Sequence, residues 1–179
     1  MKKMPASKRR ILCTIILIVI CFLIQTSVLH YIALGSIIPN LLIVITSSVG
    51  FMRGKKEGML VGFFCGLLID VFYSDIMGYQ AFFYMIIGYA NGFFQRIFFD
   101  EDIKLPLLLI ASSEFLYGIF IYIFSFLLRS RFDFRYYLLN IIVPELIYTM
   151  LATIILYQII RKLNNKLLDY EKRRVSKFV

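Results

Sequence analysis

Tryptophan is missing from this chain, histidine occurs once, and the four charged residue types make up only 17% of it. One histidine, His30, placed at the end of an apolar run, cannot anchor a Ser-His-Asp, Cys-His or multi-histidine metal constellation. Neither GxxxxGK[ST] nor GxGxxG occurs, so there is no phosphate cradle for nucleotide chemistry. The three cysteines, Cys13, Cys21 and Cys65, each sit inside an apolar run. An odd number of lipid-buried thiols supports neither a disulfide framework nor a metal site, and they read as small packing residues. No enzymatic activity, cofactor or metal is therefore expected. Acidic residues are the scarcer sign, 11 against 20 Lys plus Arg, for a net charge of +9. The basic residues lie at segment ends, which points to anionic lipid headgroups and away from nucleic acid.

What remains is apolar. A 179-residue chain with 60% hydrophobic residues and a mean hydropathy of +0.81 is too oily for a soluble domain. The reading is an all-α integral membrane protein, a single domain over residues 1–179 built as a bundle of six transmembrane helices. The expected spans are residues 11–29, 36–52, 58–73, 79–98, 105–128 and 138–160. The first follows a basic start and exceeds the apolar core of a signal peptide, so no cleavage is expected. The second is weakly apolar, with Pro39-Asn40 near its entry and Thr46, Ser47, Ser48 and Gly50 inside, and suits a helix shielded by other helices. Lys and Arg divide 17 to 3 between the two sides of such a bundle. By the positive-inside rule both termini are cytoplasmic.

Residues 58–78, GMLVGFFCGLLIDVFYSDIMG, organise the rest. Gly58, Gly62 and Gly66 recur every four residues with Asp70 one step further, so they share one stripe of a helix. Glycine inside a helix costs roughly 1 kcal/mol against alanine. In lipid that cost is offset by close approach of another helix, so the stripe is expected to be a packing seam. Gly88 and Gly92 on the next span repeat the spacing, and residues 74–78 leave room only for a tight hairpin ending at Gly78. Asp70 is expected to receive hydrogen bonds from that hairpin or the span after it. Asn40, Asn91, Glu114 and Glu145 are the other polar candidates. The two glutamates have no Lys or Arg within the spans, and are read either as interhelical hydrogen-bonding groups or as part of a proton or cation site.

These residues bring a family into view. Pro39-Asn40-Leu41-Leu42, the turn at Arg53-Gly54, the run Gly62-Phe63-x-x-Gly66-Leu67-Leu68-x-Asp70, then Gly78 and the Gly88–Gly92 helix, resemble the bacterial rod shape-determining protein MreD. The motifs cover about residues 35–95, and length, span number and basic ends fit throughout. The resemblance implies a non-enzymatic, multi-pass scaffold of the cell-elongation complex in the bacterial cytoplasmic (inner) membrane, which helps position side-wall peptidoglycan synthesis and maintain rod shape. It implies MreC as a partner, with MreB, RodA and a class B penicillin-binding transpeptidase in the wider assembly. Glu114 and Glu145 map to no family role. The layout is also similar to the six-helix substrate-binding component of an energy-coupling-factor-type vitamin transporter, which would hold a ligand in an enclosed polar pocket near Asp70.

The charge asymmetry makes a topological prediction. In intact cells an impermeant thiol reagent should modify Asp133→Cys and spare Lys8→Cys in a chain lacking its native cysteines; the reverse pattern overturns the orientation.

Overall fold

The computed structural model describes residues 6–31, 37–74, 77–97, 103–124 and 134–175. The expected start of the second span at Ser36 and the charged loop residues Asp100, Glu101, Asp102, Arg129, Arg131 and Asp133 lie outside them. The described chain is helical nearly throughout. Helix α1 (Ala6–Leu23) runs through a wide turn at Ile24–Val28 into the short α2 (Leu29–Tyr31). Then come α3 (Leu41–Arg53), α4 (Lys55–Tyr73) and α5 (Tyr79–Asn91), the last tightening into a 3₁₀ turn at Gly92–Arg96. Helix α6 (Lys104–Tyr122) follows, and α7 (Phe134–Tyr137) passes through a wide turn at Leu138–Ile142 into α8 (Val143–Val175).

Helix α3 is the centre. Every residue from Leu41 to Phe51 is buried, including Thr46, Ser47 and Ser48. Its first turn is capped by Asn40, whose side-chain oxygen accepts from the Ile43 N–H at 3.2 Å. It stops at Gly54, where φ is +95°, a conformation that disfavours any residue with a Cβ. The helix thus begins later than the expected residue 36, because Pro39 and Asn40 form its entry and not its first turn. At 13 residues it is about 20 Å long, short of a hydrocarbon core of about 30 Å. A weakly apolar, short helix of this kind is stable in lipid only when its neighbours take all of its surface.

Those neighbours reach it through glycine. A Cβ placed on Gly58 would come within 2.6 Å of the Gly50 Cα on α3 and 3.1 Å of the Gly88 carbonyl carbon on α5. One on Gly62 would meet the Tyr84 carbonyl carbon at 2.7 Å and the Thr46 Cγ2 at 3.0 Å; one on Gly66 would meet the Ala81 Cα at 2.5 Å. Gly92 closes the other end, backed by the Gly54 carbonyl carbon at 2.8 Å from its would-be Cβ. The seam therefore joins three helices, and Gly50 belongs to it as much as the α4 glycines do. Beside it, the Lys55 Nζ sits 3.4 Å from the centre of the Phe93 ring, a cation–π contact that ties the start of α4 to the end of α5. Gly78 differs: a Cβ there would meet open space, and its φ of +94° shows why it is glycine. It turns the hairpin and packs nothing.

The outer surface is inverted relative to a soluble protein. Ile15, Ile16, Val19, Leu23, Phe64, Phe72, Phe82, Leu108, Leu151 and Ile155 are all exposed, whereas the most buried set includes threonine, serine and asparagine. The stretches Arg9–Val28, Lys104–Tyr122 and Phe134–Asp169 are each long and apolar enough to cross a membrane. The last helix runs past the expected end of its span at residue 160: residues 161–175 continue α8 without a break, with Asn164 and Leu167 buried.

Because backbone atoms line both sides of the seam, side chains there have nowhere to rotate away. Gly62→Ala and Gly66→Ala should each destabilise the purified protein by about 1–3 kcal/mol, read as a lowered melting temperature in detergent. Phe64→Leu on the exposed face is the control, and losses equal to the control's would refute the seam.

Candidate functional site

The buried polar groups gather at three levels along the bundle. At the hairpin, Asp70 is 1% exposed. Its Oδ2 accepts from the backbone N–H of Gly78 (3.0 Å) and Ala81 (2.9 Å), and its Oδ1 from Gln80 (3.0 Å). A carboxylate at the end of α4 thus caps the first turn of α5. It satisfies N–H groups that have no partner within their own helix and faces the positive end of the helix dipole. This is how the chain satisfies a buried carboxyl group in an apolar bundle.

The middle level centres on Asn40. Its Oδ1 accepts from the Tyr84 hydroxyl at 2.7 Å as well as from Ile43, and its own N–H donates to the Thr149 Oγ1 at 3.0 Å. Thr149 in turn donates to the Glu114 Oε1 at 3.4 Å. One chain of contacts so links α3, α5, α6 and α8. Alongside it Tyr117 donates to the Gln80 Oε1 at 3.0 Å and stacks edge-on against Tyr84, centroids 5.3 Å apart. Nearer α3's far end, the Asn91 Nδ2 donates to the Ser113 Oγ at 2.7 Å and the Ile87 carbonyl at 2.9 Å, with the Ser47 Oγ at 3.4 Å.

The third level lies at the other end, around Arg53. This residue reads in sequence as part of a basic turn, yet its side chain is only 12% exposed. Its Nε donates to the Asn164 Oδ1 and its Nη1 to the Thr14 Oγ1, both at 2.8 Å, while the Glu57 Oε2 is 3.7 Å away. Glu57 also pairs with Arg10. One guanidinium therefore pins α1, α4 and α8 to the end of α3. A cavity of about 20 Å³ beside it, lined by Cys13, Leu17, Val49 and Leu167 among others, has room for about one water molecule.

The sequence candidates therefore fall into distinct sets. Gly58, Gly62, Gly66, Gly88 and Gly92 meet along the seam; Asp70 and Gly78 share the hairpin; Asn40 and Glu114 share the middle network, and Pro39, next to Asn40 in the chain, is buried. Asn91 stands apart from Asn40, on the Ser47–Ser113 cluster. Glu145 lies in the first turn of α8 and interacts with Glu114. His30 lies in α2. Sequence reasoning missed Gly50, Arg53, Tyr84 and Thr149 as contributors. Only Gly50 carried a usable signal, a small residue on a polar-flecked helix; Arg53 looked like any loop arginine until α8 came alongside. Among the described residues no group of three or more His, Cys, Asp or Glu could hold a metal ion.

A helical bundle with apolar side chains outside and hydrogen-bonded polar groups within defines a membrane protein. Comparison with known families gives it a narrower place. The model of rod shape-determining protein MreD matches residues 7–167, and the chain belongs to that family. The match extends well beyond the motifs of residues 35–95, taking in α1, α6 and most of α8. Membership implies a role in determining rod shape. No curated protein and no solved structure matches the chain significantly.

The Asp70 geometry sharpens what substitution there should do. An amide nitrogen cannot accept from an N–H, so Asp70→Asn loses either the Gln80 bond or the pair to Gly78 and Ala81. Asp70→Leu leaves all three donors unpaired. The expected losses are about 1–3 kcal/mol for asparagine and clearly more for leucine, measured as melting temperature in detergent. Wild-type stability in the leucine variant would show that the cap does not hold the hairpin.

Proposed function

We propose that this protein is a non-enzymatic scaffold of the cell-elongation complex, a multi-pass protein of the bacterial cytoplasmic membrane. Six helices cross or enter the bilayer as one domain, and both termini are cytoplasmic. In this reading its outer face docks a bitopic partner of the MreC kind, with MreB, RodA and a class B penicillin-binding transpeptidase in the same assembly. It so helps hold peptidoglycan synthesis along the side wall.

The observation that carries the reading, given family membership, is where the buried polar groups point. Asp70, Asn40, Asn91 and Arg53 are all engaged by other parts of the same chain. Groups used this way set the angles between helices, which is what a rigid docking platform needs. The transporter alternative required an enclosed polar pocket at Asp70, but both oxygens of that carboxylate are occupied by α5 backbone N–H groups. Nothing at Asp70 favours it.

On this reading the seam glycines and Asp70 serve function only by holding shape. In a strain depleted of its own copy, variants at Gly66 or Asp70 that still accumulate in the membrane should restore rod shape. Variants that do not accumulate should leave cells wide. Affinity purification from native membranes, with mass spectrometry of what is retained, should recover a bitopic partner and cell-wall synthases. Recovery of transporter ATPases instead, or round cells carrying a well-folded Asp70→Asn protein, would overturn the scaffold.

A further inference from the structure

We propose that the crevice beside Arg53 is a binding site for one anionic phospholipid, whose ester oxygen accepts a hydrogen bond from Asn164. The crevice lies between α1 and α8 where both pass the end of α3, and Thr14, Arg53 and Asn164 line it together with Cys13, Leu17 and Leu163. Asn164 is 5% exposed. Its Oδ1 accepts from the Arg53 Nε at 2.8 Å, whereas among the described residues nothing accepts from its Nδ2. A side-chain amide nitrogen carries two N–H donors, and a donor this deep in a protein is costly to leave unmet. On the wall of a crevice, such a donor is a place for an oxygen from outside the chain. The volume of about 20 Å³ admits one oxygen-sized group, so a single oxygen enters and the rest of its molecule stays outside.

Charge, surface and depth together select the occupant. In the six-span reading this end of the bundle is made by residues 1–10, 53–57, 96–104 and 161–179, which hold 17 Lys and Arg against 6 Asp and Glu. However these groups pair among themselves, the excess is positive, and it attracts anionic headgroups. Leading away from the crevice, Leu163 at its lip is 37% exposed, and Ile159 (47%) and Ile155 (69%) continue the same four-residue stripe of α8 toward the middle of the helix. That stripe is a track for an acyl chain. The apolar stretch of α1 begins at Arg9, and Cys13 and Leu17 follow it by about 6 and 12 Å along the helix. The crevice thus lies just beneath basic residues, as the ester oxygens and chains of a phospholipid lie beneath its phosphate. Water would meet the Asn164 donor alone, and inorganic phosphate would leave the apolar stripe unused. The site stands apart from the scaffold reading and does not depend on it.

Cys13 lines the crevice and is partly exposed, so its alkylation reports whether the site is filled. The full-length protein, stripped of lipid in a neutral detergent, is treated with N-ethylmaleimide, and modification at Cys13 is read by peptide mass spectrometry. Phosphatidylglycerol at a few molar equivalents should slow modification several-fold, and intact-mass measurement should show one lipid retained. Phosphatidylcholine or inorganic phosphate at the same concentration should leave the rate unchanged. Asn164→Leu should abolish the protection. Because that change also removes the Arg53 bond, Leu163→Glu at the exposed lip is the second variant: it leaves the melting temperature unchanged and should weaken protection by repelling the lipid phosphate. Equal slowing by phosphatidylcholine would show hydrocarbon covering the helices without selection for charge, and would overturn the proposal. So would slowing by inorganic phosphate to the same extent, which marks a free-anion site. A rate that nothing slows would leave the crevice to water alone, and protection surviving in either variant would show that these residues do not hold the lipid; each overturns it.

Discussion

The approach of α4 and α5 to α3, backbone against backbone, is the constraint on which the rest of this bundle depends. In lipid an apolar side chain gains nothing by leaving one hydrocarbon environment for another. Helices stay together only where they fit closely enough for dispersion and for polar groups to meet. The glycines supply that closeness: with Gly50, Gly58 and Gly88 in mutual contact, α3 sits deep enough to be covered entirely. Its threonine and serines can then be buried, and its capping residue Asn40 lands among Tyr84, Thr149 and, through Thr149, Glu114.

Polar groups then lock what the glycines bring near. Interhelical hydrogen bonds in membranes contribute only about 0.6 kcal/mol each on average, so no single one holds the fold. Their value here is directional. Asp70 sets the turn between α4 and α5; Asn91 sets α5 against α6; Arg53 sets α1 and α8 against the end of α3. A slip of one helix along another would break several of these at once, which is how a bundle without a hydrophobic driving force between its helices specifies one arrangement.

Such a body suits the family to which the chain belongs. In the scaffold reading the protein acts through its surfaces, and surfaces are useful only if they hold still. The long α8 adds a second feature. Its 33 residues extend about 50 Å, more than a bilayer core requires.

By itself the sequence determined the membrane class, the helical rods, the glycine stripe and the placement of a carboxylate at its end. Each of these follows from local quantities: hydropathy over twenty residues, a four-residue repeat, the cost of a charge in hydrocarbon. Gly58, Gly62 and Gly66 announce a close neighbour whatever that neighbour is. Tertiary structure alone decided who the neighbours are. That Asp70 caps a helix, that Gly50 completes the seam, that Gly78 only turns the chain, and that Arg53 leaves the surface to bind Asn164 are facts about pairs of segments, the last more than a hundred residues apart. The end of α8 belongs here too. Hydropathy ends the last span at residue 160, yet the helix runs on with Asn164 and Leu167 buried, because a helix continues where packing supports it and not where hydropathy stops.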